Sequence, residues 1–90
     1  MRMIINNSMP VETLDALPVG KGAVLAKPRF HHSIRRLLEM GMTEGAPIRI
    51  LRKAPFGGPF EIFIRNTRLC IRKEEAARFA LSQSHELGHG

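Results

Sequence analysis

The chain has 90 residues, 43% of them hydrophobic and 24% charged, and carries a formal net charge of +6. That length makes one small domain, which hides only about 60–65% of the surface its unfolded chain exposes and so leaves no room for a deep catalytic cleft. No apolar run reaches the ~20 residues that cross a bilayer and no basic-then-apolar leader opens the chain, while the single cysteine, Cys70, has no internal partner; a soluble protein of a reducing, cytoplasmic compartment is expected.

Residues 1–11 are short, polar around Asn6-Asn7-Ser8 and without period, and are expected to form a flexible arm. Thr13 to Leu17 fits a turn of helix or an extended entry, ended by Pro18 and Gly20. Ala23-Val24-Leu25-Ala26-Lys27, closed by Pro28, fits a first strand. A helix is expected from His31 or His32 to Met40, with Ser33 as a further candidate cap. Ile34, Leu37 and Leu38 fall at i, i+3 and i+4 and share one face. Gly41 stands where such a helix needs a left-handed residue, and Met42 is placed to cover the last turn. Gly45 then permits a second reversal before Ala46-Pro47.

From Pro47 the period becomes two. Ile48 and Ile50 share a face, Arg49 takes the other, and Leu51 is an exception that implies burial on both sides or a twist. Ala54-Pro55-Phe56-Gly57-Gly58-Pro59 cannot continue a strand and makes a hairpin loop, with positive φ expected at the glycine pair. Phe60, Ile62 and Ile64 alternate with Glu61, Phe63 and Arg65 on the returning strand. After a turn at Asn66-Thr67, Leu69 and Ile71 alternate with Arg68, Cys70 and Arg72. Lys73 to Phe79 fits a helical turn with acids near its start, and Ala80-Leu81-Ser82 a last short strand. Residues 83–90 are expected to be a disordered tail.

Several short strands, one helix after the first and punctuated turns suit a closed barrel, since closure removes exposed edges. The expected fold is mainly β: a small SH3-like barrel of about five strands with one or two short helices inserted, over residues 12–82, with an OB-type barrel as the alternative. Four pieces in this order resemble the FeoA family: Gly22-Ala23-Val24; Arg35 to Met42 with Gly45; Pro55 to Pro59; and Leu69-Cys70-Ile71-Arg72 with Ala76. The resemblance implies a small cytosolic SH3-like accessory to ferrous iron uptake, acting on FeoB, a membrane permease with a cytosolic GTPase domain. It implies no catalysis, no resident cofactor, no membrane insertion, and a place at the inner membrane only through the partner. Two positions depart from the family pattern. Glu44 stands where proline is common, and Asn66-Thr67 where glycine is frequent, although asparagine tolerates the left-handed region.

Candidate chemistry is sparse. His85-Glu86-Leu87-Gly88-His89 spells the H-E-x-x-H pattern that sets two imidazoles on one helical face around zinc, but it lies one residue from the C-terminus with nothing after it to give a third ligand. A loose polar tail with at most weak transition-metal binding is the expected reading, and a zinc hydrolase the lesser alternative. His31 and His32 point about 100° apart on a helix and suit surface or capping roles better than one shared ion. No phosphate-cradling G-x-x-x-x-G-K-[ST] loop occurs.

Between Lys27 and Lys73, eleven Lys or Arg face three Glu, a local net of +8 that attracts acidic proteins, nucleic acid or anionic lipid. Nucleic acid is the weaker alternative, because the chain has no Trp or Tyr and the strand pattern sends several of its five Phe inward. A small metal-binding protein is the other alternative, on the four histidines. The expected partner surface joins Arg35, Arg36, Met40 and Met42 of the helix corner to Pro55, Phe56, Gly57 and Gly58 of the hairpin tip: methionines adapt to varied shapes, and an exposed Phe on a rigid turn anchors in a pocket.

Overall fold

The computed structural model describes residues 12–82; the expected arm, the tail and its H-E-x-x-H lie outside them. Four strands, β1 (Gly22–Val24), β2 (Pro47–Lys53), β3 (Phe60–Ile64) and β4 (Thr67–Ile71), form one antiparallel sheet in sequence order. Two short α-helices, α1 (Arg35–Glu39) and α2 (Lys73–Ala76), and two 3-10 turns, Leu14–Ala16 and His32–Ile34, complete the elements.

The expected fifth strand is reduced to isolated bridges, Thr13 with Ala80 and Leu25 with Leu81. Around them Ser82 N–H donates to Val24 O (2.7 Å), Ala26 N–H to Ala80 O (2.9 Å) and Leu14 N–H to Phe79 O (2.8 Å). The chain after α2 thereby returns onto the β1 side and curls the sheet on itself. The result is the small, mainly β barrel expected.

Alternation fills its interior. Ile48 and Ile50 from β2, Phe60, Ile62 and Ile64 from β3, and Leu69 and Ile71 from β4 are all buried, while Arg49, Phe63, Arg68 and Cys70 face outward. Leu51 breaks the period because β2 bulges there: Ile50 pairs with Ile62, but Arg52 already pairs with Glu61. One extra residue lets Ile50 stay inside and leaves Leu51 half-buried. Ile34 from the 3-10 turn before α1 and Leu37 from α1 close the barrel, with Leu38 packed beside them.

Both hairpin reversals sit one residue earlier than the glycine and asparagine positions imply. Positive φ falls at Phe56 (60°) and Gly57 (74°), and at Arg65 (51°) and Asn66 (63°). Two consecutive left-handed residues define the turn whose twist matches that of paired strands, so register decides the position and a non-glycine residue accepts the strain.

Candidate partner-binding site

The helix ends as its sequence predicts. Gly41, at φ +106°, donates its N–H to Leu38 O (3.1 Å), and Met42 N–H donates to Leu37 O (3.0 Å), the paired bonds of a glycine-terminated helix. The same geometry overturns one expectation. Met42 is fully buried, because covering the last turn drives its side chain into the core, so it cannot belong to a partner surface. Met40, two residues earlier, is 45% exposed and keeps its place there.

A second correction concerns continuity. Arg65 Nε donates to Gly41 O (3.2 Å) and its Nη2 to Thr43 Oγ1 (3.1 Å), which seats the helix corner on the β3–β4 turn. That turn lies beside the Ile48–Ile64 end of the β2–β3 ladder, whereas residues 54–59 extend from the Lys53–Phe60 end. The five steps from Ile48 to Lys53 span roughly 17 Å at about 3.3 Å each. Met40 and the hairpin tip therefore sit at opposite ends of the ladder and do not form the single surface expected.

The tip itself is well defined. Ala54 N–H donates to Pro59 O (2.9 Å) and Gly58 N–H to Pro55 O (3.1 Å), closing a double turn. Phe56 projects from it with its whole side chain in solvent. A bulky residue at positive φ that buries no surface is unfavourable twice over, and such outliers gather at functional positions. Pro55 and Gly57 are exposed and Gly58 is half-buried; a Cβ on Gly58 would stand 2.8 Å from Ala54 Cβ, so this glycine serves close approach rather than positive φ.

Arg35 and Arg36 are exposed but engaged. The Arg35 guanidinium lies 5.3 Å from the Phe30 ring centroid, and Arg36 Nη2 lies 3.5 Å from Glu75 Oε1. Glu75 also accepts the Arg72 N–H at 2.8 Å, tying the start of α2 to α1. Phe30, 61% exposed, was not foreseen; it sits in an irregular stretch after Pro28 where no period marks a face. Of the five phenylalanines, Phe56 and Phe63 are exposed as the hairpin and the strand alternation imply, Phe30 is exposed as well, and Phe60 and Phe79 are buried.

His31 caps the turn that precedes α1. Its Nδ1 accepts the Ser33 N–H at 3.2 Å and lies 2.8 Å from Ser33 Oγ, and the ring stacks on His32 with centroids 4.3 Å apart. Ser33 is thus the capped residue and not the cap. Desolvation, then the charges of Arg78 and His32, hold the His31 pKa below the ordinary histidine value. Among the described residues no three His, Cys, Asp or Glu side chains are grouped to hold a metal ion, and no helix is long and apolar enough to cross a membrane.

Comparison with known proteins agrees with this architecture. The FeoA domain model matches residues 12–79. Stenotrophomonas maltophilia FeoA, solved as a zinc complex and described as a prokaryotic SH3 domain protein, is 31% identical over 81% of this chain and 92% of its own, with a TM-score of 0.69. An iron uptake regulatory protein, also named FeoA, is 30% identical over 80% of this chain and 96% of its own, with a TM-score of 0.69. FeoA from Chlorobium tepidum is 30% identical over 78% and 68%, with a TM-score of 0.71. A search of curated protein sequences gives no match. With a family model spanning most of its length and solved relatives of the same barrel, the chain belongs to the FeoA family.

Proposed function

We propose that this protein is a non-enzymatic accessory of ferrous iron uptake that docks on the cytosolic part of a FeoB-type GTPase permease and regulates it, using the Phe56 hairpin tip as its anchor. Family membership supports the iron-uptake role, as does the name of one relative, an iron uptake regulatory protein, and the suggestion for another that it is a ferrous iron transport activating factor. The observation that carries the docking reading is Phe56: fully exposed, held at φ 60°, and framed by Pro55, Gly57 and Gly58. An aromatic pre-ordered in this way binds a pocket with little further loss of freedom.

Met40, with Arg35 and Arg36, supplies a second contact from the helix, so an interface that uses both must reach around one side of the barrel. The protein works in the cytoplasm and meets the membrane only through its partner. No catalytic group and no resident cofactor enters this reading; weak metal binding by the C-terminal histidines is a separate property.

Titration of isotope-labelled protein with the cytosolic part of such a permease tests it. Saturable shifts at Phe56, Gly57 and Met40 are expected. Binding that leaves those signals unmoved would reject the assigned surface, and no binding at low salt and high concentration would reject the partner.

A further inference from the structure

β4 is the outer strand of the sheet, on the side away from β1. In a hairpin closed by two residues the flanking pair, here Ile64 and Thr67, exchanges both hydrogen bonds, and alternate pairs do so after it. Leu69 and Ile71 therefore turn their backbone groups toward β3, and Arg68 and Cys70 turn theirs away. Among the described residues nothing receives them, because the segment after α2 crosses to Thr13 and Leu25 instead. The strand next to α2 is an open edge.

The side chains along this edge are of one sign. From Arg65 to Lys73 there are four cations and no carboxylate. Glu61 on β3 is shared between Arg68 (3.5 Å) and Arg52 (3.3 Å), so one negative charge serves two positive ones. Arg72, in extended conformation, continues the outward row of Arg68 and Cys70. Symmetric pairing of two copies centred on Arg68 or on Cys70 would set Arg68 against Arg68 or Arg72 of the other copy, and like charges directly opposite destabilise a ladder. An acidic strand meets the reverse condition.

We propose that the β4 edge accepts an extended acidic segment of another protein as an added strand, its backbone bonding to the N–H and C=O groups of Arg68 and Cys70 and its alternate carboxylates facing Arg68 and Arg72. This surface is separate from the hairpin tip, and it stands or falls independently of the docking reading above.

The probe is an acetylated, amidated heptapeptide of alternating Glu and Val, added to the full-length isotope-labelled chain. Arg68 and Cys70 amides are expected to shift saturably and to exchange with solvent at least tenfold more slowly. Methylating either all Glu nitrogens or all Val nitrogens removes the donors of one strand edge while keeping the charge; one of these two forms should bind at least tenfold more weakly. Arg68→Glu should lose a similar factor, and a Lys and Val peptide should not bind. The proposal is overturned if the Glu peptide gives no saturable shift at millimolar concentration. Equal binding of both methylated forms would also overturn it, as a charge contact without strand pairing. So would protection of Arg68 and Cys70 that grows with chain concentration alone, which would make a second copy the occupant.

Discussion

Arg65 lies across Gly41: its Cγ, Cδ and Nε stand 3.1, 3.3 and 3.3 Å from the point a Cβ on that glycine would occupy, while its guanidinium bonds to Gly41 O and Thr43 Oγ1. The left-handed glycine that ends α1 and the left-handed arginine that opens the β3–β4 turn are thus one joint between helix and sheet.

Gly41→Ala strains φ +106° and crowds Arg65, and is expected to destabilise the fold by about 1–3 kcal/mol. Arg65→Ala keeps a non-glycine residue at φ 51°, so the turn strain cancels and only the clamp is lost, about 0.5–1.5 kcal/mol. The double variant should cost less than the sum, since the crowding partner is gone. Urea unfolding of the four proteins measures the coupling; strict additivity would show that the two residues do not act on each other.

Met42 and Met40 separate stability from recognition. Met42→Ala empties a fully buried site and should cost about 2–5 kcal/mol with no specific effect on partner affinity at temperatures where the fold is intact. Met40→Ala, at a 45% exposed position, should move stability by no more than about 0.5 kcal/mol. Paired denaturant and titration measurements decide, and a stable Met42→Ala protein that fails to bind would restore Met42 to the interface.

How much of this was legible depended on whether the cause was local. Ile34, Leu37, Leu38 and Gly41 declare a helix and its end within eight residues, and the alternation of Phe60, Ile62 and Ile64 declares a strand, so those elements stand where the pattern puts them. Leu51 announced an irregularity without naming it; whether an out-of-period leucine is a twist or a bulge is set by the opposing strand. The turns at Phe56 and Arg65 were misplaced by one residue because Gly57 and Asn66 do take positive φ, but pairing register makes the residue before each of them, not the one after, the other left-handed position. The candidate surface split for the same reason. Nothing within residues 35–58 says that the helix corner seats on Arg65, beyond the far end of the ladder from Phe56. Phe56 was legible because two prolines and two glycines leave its side chain no neighbours to pack on.

Phe56→Gly tests whether the exposed ring exists for binding. Glycine adopts φ 60° freely, so relief of roughly 1 kcal/mol offsets its greater freedom in the unfolded chain and stability should stay level or rise. Affinity for the permease fragment should fall by about 30-fold or more, the factor that matches a loss of ~2 kcal/mol at an aromatic anchor. Unchanged affinity would leave the strain at Phe56 without a binding role.

His31 gives the fold a pH dependence whose sign follows from its cap. Nδ1 can accept from Ser33 only while unprotonated, and desolvation together with Arg78 and His32 opposes the charged form, so the folded-state pKa lies below that of the unfolded chain. Between those two values the unfolded chain binds more protons, and stability rises with pH. The contribution is complete above the unfolded value of about 6.5 and is lost as pH falls through the lower folded one. The urea midpoint of the parent chain is expected to decline as pH falls below about 6.5, and since asparagine caps without titrating, His31→Asn should flatten that decline. An equally steep decline in that variant would assign the dependence to another group, and a steeper one would contradict the direction argued for His31.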